Sequence, residues 1–218
     1  MAARTSNPTT RFVGLDSWER QIKAAQAMPA DLRLTFQQAR VDGRLPFDDA
    51  SVDVAYSNNL LECIADKTAF LREVAGVLRP GGQVLFAHWD WDSQIFDGSD
   101  KALVRKLIHT FADWQQPWME HSDPWMGRRL WGAFQETGDF DGEVLTRVLT
   151  NITYAEPWYG HREVQDLGEL VKHGLVSAEP PPTATSTVSP ATSTKAAARL
   201  NSPPTVSLPL SNPALPVP

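Results

Sequence analysis

A chain of 218 residues, 42% of them hydrophobic, is long enough to bury one sizeable core and too short for two ordinary domains. Its formal net charge of −6, with no Lys/Arg cluster interleaved with aromatics, excludes the electrostatic footprint of a nucleic-acid binder. The single cysteine, Cys63, excludes an internal disulfide and gives no metal-ligand spacing, and no run approaches the ~18 apolar residues of a membrane span. The resulting expectation is a cytoplasmic protein with no metal and no nucleic-acid or membrane partner, of unspecified oligomeric state.

In chain order, residues 1–10 contain no glycine and lack the pattern of a buried strand; they are expected to be disordered. Arg11 to Leu15 is a short apolar run leading into Asp16-Ser17, with Ser17 placed to cap a helix through Ile22 and Ala25 that Pro29 ends. Leu32 to Phe36 and Val52 to Tyr56 read as strands, the second bounded by the turn-rich Asp48-Asp49-Ala50-Ser51. Asp66 caps a helix whose apolar positions, Phe70, Val74, Val77 and Leu78, repeat at helical spacing. Pro80-Gly81-Gly82 stops it, and Val84 to Ala87 is the next strand. Strands alternating with helices predict an α/β fold with a mostly parallel sheet covered by helices.

Beyond that strand, Ser99 is placed to cap a helix carrying Leu103, Leu107, Ile108 and Phe111, and Asp123-Pro124 opens another that ends at Gly138. Together residues 99–137, with Trp114, Trp118, Trp125 and Trp131, predict a helical cap. Glu143 to Thr153 alternates as a strand, and Glu163 to His173 reads as a last helix closed by Gly174. From Pro180 to Pro218 the chain has no aromatic residue and only Lys195 and Arg199 as charges, so residues 179–218 read as a disordered Pro/Ser/Thr-rich tail. The folded domain is expected over residues 11–175.

Two stretches carry a family resemblance. Leu45-Pro46-Phe47-Asp48-Asp49-Ala50-Ser51-Val52-Asp53-Val54 is similar to the LPF-x-D-x-S-F-D signature of class I S-adenosylmethionine-dependent methyltransferases. Asp66 and the run Leu71-Arg72-Glu73-Val74-Ala75-Gly76-Val77-Leu78-Arg79-Pro80-Gly81-Gly82 match the helix-and-turn signature that follows it, and Gly14-Leu15-Asp16-Ser17 stands upstream in the right order. The chain thus resembles the methyltransferase type 11 or UbiE-like family, well over residues 11–92 and loosely to about 175. The resemblance implies a Rossmann-like sheet, S-adenosylmethionine as cofactor and a small-molecule methyl acceptor as partner.

It also implies site residues. Asp16, at a parallel strand's end where open α/β sheets bind ligands, is the carboxylate for the ribose hydroxyls, with Ser17 beside it. Asp42 stands near the family's acidic contact to the adenine amino group, one residue further along than usual and close to Arg40. Ser57, Asn58 and Asn59 end a strand where relatives approach the methionine portion, and adjacent amides suit a zwitterion. The cluster His88-Trp89-Asp90-Trp91-Asp92 follows the strand at Val84–Ala87: His88 is the candidate general base, Trp91 an acceptor wall or cation–π surface, and Asp92 an orienting charge. A strand end with buried tryptophans and solvated acids is the alternative.

In dinucleotide-type folds the acid follows the glycine loop by about 20 residues. With Asp16 as that acid, the loop and the first strand are expected to be missing from this chain. The last strand of the closing antiparallel hairpin is expected to be missing too, because only the Pro/Ser/Thr-rich segment follows Gly174. The sequence therefore predicts a truncated methyltransferase of impaired activity, or else a non-catalytic, methyltransferase-like binding module or degenerate paralogue. A nicotinamide-dependent oxidoreductase shares the strand-to-acid logic but leaves both signatures unexplained.

Overall fold

The computed structural model describes residues 7–28, 33–151, 155, 156, 158–177 and 200–211. The order of elements is β1 (Phe12–Asp16), α1 (Glu19–Gln26), β2 (Leu34–Gln38), β3 (Val52–Asn58), α2 (Lys67–Val77), β4 (Leu78–His88), β5 (Ile95–Phe96), α3 (Lys101–Asp113), α4 (Met126–Thr137), β6 (Asp141–Gly142), β7 (Leu145–Asn151), α5 (Tyr159–Lys172) and β8 (Leu200–Ser211). The fold is α/β and Rossmann-like, as the alternation predicts. β1 pairs with β2 in parallel, and β3 pairs with β4 in parallel. These two ladders belong to separate sheets, and no strand among the described residues bonds to both.

The two signature stretches pack against each other. Glu73 Oε1 in α2 accepts the Leu45 N–H at 2.8 Å. The Ala50 and Ser51 amides bond the Gly76 and Val77 carbonyls at 2.9 Å, satisfying groups the end of α2 leaves open. Asp66 caps the other end by accepting from Ala69 N at 2.8 Å. The buried faces of α2, β4 and α4 form the main core, with Phe70, Leu71, Val74, Val84, Phe86, Leu130 and Phe134; Leu15 of β1 packs against it. A second cluster joins α5 to α3 through Leu167, Leu170, Leu107 and Phe111.

Several expectations are corrected. Helix α1 is capped at Trp18 rather than Ser17, because the Asp16 side chain, one residue earlier, reaches the Trp18 N–H at 2.7 Å. Likewise Asp100, not Ser99, caps α3 by accepting from Ala102 and Leu103. Pro80-Gly81-Gly82 lies within β4, where the ladder jumps from Val52↔Leu78 to Val54↔Gln83. Gly81 sits there at φ +78°, a left-handed conformation glycine adopts without strain. Within the stretch expected to be disordered at the start, Asn7 to Thr10 form a turn in which Asn7 Oδ1 accepts from Thr9 N. Residues 1–6 lie outside the described residues.

The largest correction concerns the tail. Leu200–Ser211 is a strand, β8, inserted antiparallel between β4 and β7. It is the last strand that the sequence reading places outside the chain. Prolines lack the N–H a ladder needs, and the register between β7 and β8 shifts just where Pro203 and Pro204 fall, between Val148↔Pro204 and Thr150↔Asn201. From Val206 onward the pairing with β4 is continuous, from His88↔Val206 to Gln83↔Ser211. The remainder of the predicted tail, residues 178–199 and 212–218, lies outside the described residues.

Candidate active site

The C-terminal ends of the parallel strands converge on one loop. Asn58 pairs with Ala87 in the β3–β4 register, so these strands end together. Asn59, at φ +52°, a conformation asparagine tolerates, donates its backbone N–H to Ala87 O at 3.0 Å and accepts the Trp89 N–H on Oδ1 at 2.8 Å. Asp16 and Gln38 end β1 and β2 in register. The segment between α3 and α4 then touches both pairs. Trp118 packs edge-on against Trp18 with ring centroids 5.8 Å apart, Glu120 pairs with Arg40 just after β2, and Pro124 O accepts the Trp91 N–H at 3.1 Å. Asp16, Asn59 and Trp91 therefore lie at strand ends bordered by a common loop.

On the cofactor side, the groups present fit S-adenosylmethionine in part. Asp16 Oδ1 holds the Trp18 amide, and Oδ2 carries no hydrogen bond among the described residues, leaving an acceptor for a ribose hydroxyl. Ser17 is exposed beside it, and the exposed Asn58 side chain makes no hydrogen bond among the described residues. Ser57 is half-buried within β3. Asp42 is committed elsewhere: Arg40 binds it and Glu120 together. The Arg40 hydrogen bonds outweigh desolvation and hold the Asp42 carboxyl below its usual range, while the two carboxylates raise the Arg40 guanidinium. Asn59 has its amide oxygen committed to Trp89.

On the acceptor side, the cluster after β4 is a network. His88 is 1% exposed, its Nδ1 lies 2.7 Å from Trp89 O, and its Nε2 accepts the Glu62 N–H at 3.3 Å. Burial lowers its pKa to about 4, so the ring is neutral with both nitrogens committed. This places His88 as a brace between β4 and the segment after β3, without a free nitrogen for a substrate. Trp91 packs on Phe111 and donates its indole N–H to Glu62 Oε2 at 2.5 Å. Asp92 faces Arg128 at 3.4 Å and His109 at 3.8 Å.

Two residues that carry this network have no role in the sequence reading, which names Asp90 only as a member of the cluster and does not name Glu62. Asp90, 2% exposed, takes two contacts of 2.5 Å from the Arg128 guanidinium, a third from the Arg128 backbone and one from Ser93 Oγ. Burial alone would raise its pKa, but the bonds from Arg128 and Ser93 prevail and hold it low. Glu62, 6% exposed, follows Leu61 in a short turn after β3. Desolvation pushes its pKa up to about 7, against the opposing hydrogen bond from Trp91. An acid between Leu61 and Cys63 in an otherwise apolar run was the available signal. Beside it opens a cleft of about 540 Å³, lined by Glu62, Lys67, Asp113, His121, Asp123 and Trp125 among others.

Residues 1–86 match the family model described as a methyltransferase domain. Over these residues the chain is similar to a methyltransferase domain. An uncharacterised methyltransferase of Mycolicibacterium vanbaalenii is 34% identical over 96 residues, 44% of this chain and 37% of that protein. An uncharacterised 37.1 kDa protein of transposon Tn4556 in Streptomyces fradiae is 31% identical over 111 residues, 51% of this chain and 32% of its own. The chain thus spans about a third of the length of these curated relatives.

Among solved structures, a protein of Bacillus halodurans C-125 assigned as a methyltransferase superposes with TM-score 0.56 at 16% identity, covering 94% of this chain and 85% of that one. A Haloferax volcanii complex of the Trm112 methyltransferase activator with a methyltransferase gives TM-score 0.54 at 19% identity, covering 100% and 78%. These likenesses establish the fold.

Proposed function

We propose that this methyltransferase domain binds S-adenosylmethionine across the ends of β1 and β3 and serves methyl transfer to a small-molecule acceptor lodged under the α3–α4 loop. The observation that carries this reading is the loop itself, which borders the Asp16 end of one ladder and the Asn59–Trp91 end of the other. Bound there, S-adenosylmethionine supplies an electrophilic methyl group on a sulfonium that is its own leaving group. Asp16 and Ser17 hold the ribose side, and Asn58 takes the amino-acid portion. Asp42 reaches the adenine side only by giving up Arg40. What remains for the protein is to position the acceptor and exclude water. Trp91 forms a wall, and Asp92 orients that wall through Arg128 and His109. His88 acts by bracing, not as a base.

A second reading, a methyltransferase-like binding module without catalysis, is favoured by one observation: His88, the candidate base, has both ring nitrogens committed. Two charge-assisted bonds from Asp16 contribute roughly 2–4 kcal/mol, whereas micromolar affinity needs about 8. Bonds to Asp16 alone therefore leave S-adenosylmethionine binding weaker than micromolar, and Ser17 and Asn58 must supply part of the rest. Equilibrium dialysis with labelled cofactor tests both readings. Weak, saturable binding that falls at least about tenfold in Asp16→Ala supports the proposal. Binding untouched by that substitution refutes the site, and no binding at all favours the second reading.

A further inference from the structure

We propose that the cleft beside Glu62 is the acceptor pocket, that it takes a primary amine, and that Glu62 Oε1 is the group that receives the amine's proton. This deepens the methyltransferase reading and rests on it only for the purpose of the pocket, since amine binding itself needs no cofactor.

The case starts from an unsatisfied group. A carboxyl buried to 6% exposure normally finds partners for both oxygens. Glu62 Oε2 accepts from the Trp91 indole, but Oε1 has no hydrogen bond among the described residues, and Glu62 lines the cleft. Such an arrangement persists where a ligand completes it. The surrounding side chains are also fixed in place. Asp123, across the cleft, is held by Arg129 at 3.0 Å and faces Lys67 at 3.9 Å, and Lys67 donates to Ile64 O. Those two cations are thereby directed to Asp123 and away from Glu62.

Charge then selects the ligand. Counting the carboxylates of Glu62, Asp113 and Asp123 against Lys67 and Arg129, the lining carries one excess negative charge. An anionic acceptor would meet Glu62 and Asp113 without a free cation to pair with. A primary ammonium is complementary: one N–H bonds Oε1, while Trp125, whose ring already carries the Arg128 and Arg129 guanidiniums at 4.8 and 5.1 Å, closes the cleft beside it. The chemistry balances without a further reactant. Ammonium transfers one proton to the Glu62 carboxylate, the N–H bond's electron pair remains on nitrogen as a lone pair, and the amine becomes the nucleophile methyl transfer requires. Desolvation, together with the Asp123 charge, brings Glu62 nearer the amine in basicity than an exposed carboxylate would be. His88 contacts the Glu62 backbone and is neutral, and burial, with the Glu62 charge second, raises the Cys63 thiol to about 11, so neither competes for the proton.

The experiment uses the full chain without S-adenosylmethionine, so its result is independent of cofactor binding. The ¹H–¹⁵N signal of the Trp91 indole, assigned with Trp91→Phe, reports on Glu62. Titration with n-butylamine hydrochloride is expected to shift it saturably, while n-butanol and sodium butyrate leave it in place. Glu62→Gln should weaken amine binding at least tenfold, with retained spectral dispersion showing the fold intact. In wild type and in His121→Gln, which removes the imidazole that lines the pocket, affinity should rise about five- to tenfold from pH 6 to pH 8 as the Glu62 carboxyl ionises. Equal amine affinity in Glu62→Gln, tighter binding of butyrate than of amine, or a flat pH response overturns the proposal. Should Glu62→Gln fail to fold, the pH response decides alone.

Discussion

Replacing Arg128 with alanine tests whether the Asp90 pair holds the segment after β4 in place. Asp90 is 2% exposed and receives three contacts from Arg128, so truncation leaves a buried carboxylate with Ser93 Oγ as its remaining side-chain partner. Removing one member of a buried pair costs about 3–5 kcal/mol. The Arg128 side chain is itself 41% exposed, so solvent screens its outer edge, and a loss of about 2–3 kcal/mol is expected. For a chain of this size that lowers the thermal midpoint by roughly 5–10 °C. The pH dependence has a definite sign. Asp90 is held below its ordinary value in the folded state, so the stabilisation is complete above about pH 4 and is lost as pH falls further. Urea denaturation at pH 7 and pH 3 should therefore show a deficit for Arg128→Ala at pH 7 that shrinks at pH 3. Asp90→Leu with Arg128→Met should recover much of it, since no charge is left unpaired. A deficit under about 0.5 kcal/mol at pH 7, or one equal at both pH values, would refute the assignment.

Glu62 shifts in the opposite direction. Its folded pKa of about 7 exceeds the unfolded value of about 4.3, so ionising it costs stability on the order of 3 kcal/mol, a cost that grows from pH 4 to pH 7. Glu62→Gln should match wild type near pH 4 and exceed it in urea stability above pH 7; a pH-independent difference would contradict the buried, ionising carboxyl. Ending the chain at Arg199 removes β8, and the β4 amides between Gln83 and His88 that face it should lose hydrogen-exchange protection. Unchanged protection would show that β8 contributes nothing to β4.

The parallel ladders were legible in the sequence because each strand is a short apolar run bounded by turn residues. Helix α2 was legible through its spacing and the Asp66 cap. β8 was not, and the reason is a competition between composition and pattern. Leu200 to Ser211 holds three prolines and no charge, which reads as a segment unable to form a core. Yet Thr205-Val206-Ser207-Leu208-Pro209-Leu210-Ser211 alternates apolar with other residues at period two, the signature of a strand with one buried face. Composition averaged over residues 179–218 concealed a pattern seven residues long. Pro203 and Pro204 fall where the β7 ladder is irregular, which single-sequence patterning cannot foresee.

The site divides along a similar line. Asp16 and Asn58 fall at strand ends, as the strand pattern predicts, because each parallel ladder aligns the ends of its own two strands. Chemistry after β4 could not be, since it depends on pairs distant along the chain: Glu62 with Trp91, and Asp90 with Arg128. His88 illustrates the consequence. A histidine at a strand end near aromatic and acidic neighbours has the composition of a general base, but Trp89 O and the Glu62 N–H occupy both its nitrogens. The same bond that takes Nε2 from solution holds the Glu62 backbone in place, while Trp91 restrains one carboxylate oxygen. Bracing the backbone and one oxygen leaves the other oxygen positioned without a bond of its own. The neutral histidine and the raised carboxyl thus belong to one arrangement, in which one Glu62 oxygen beside the cleft keeps no hydrogen bond among the described residues.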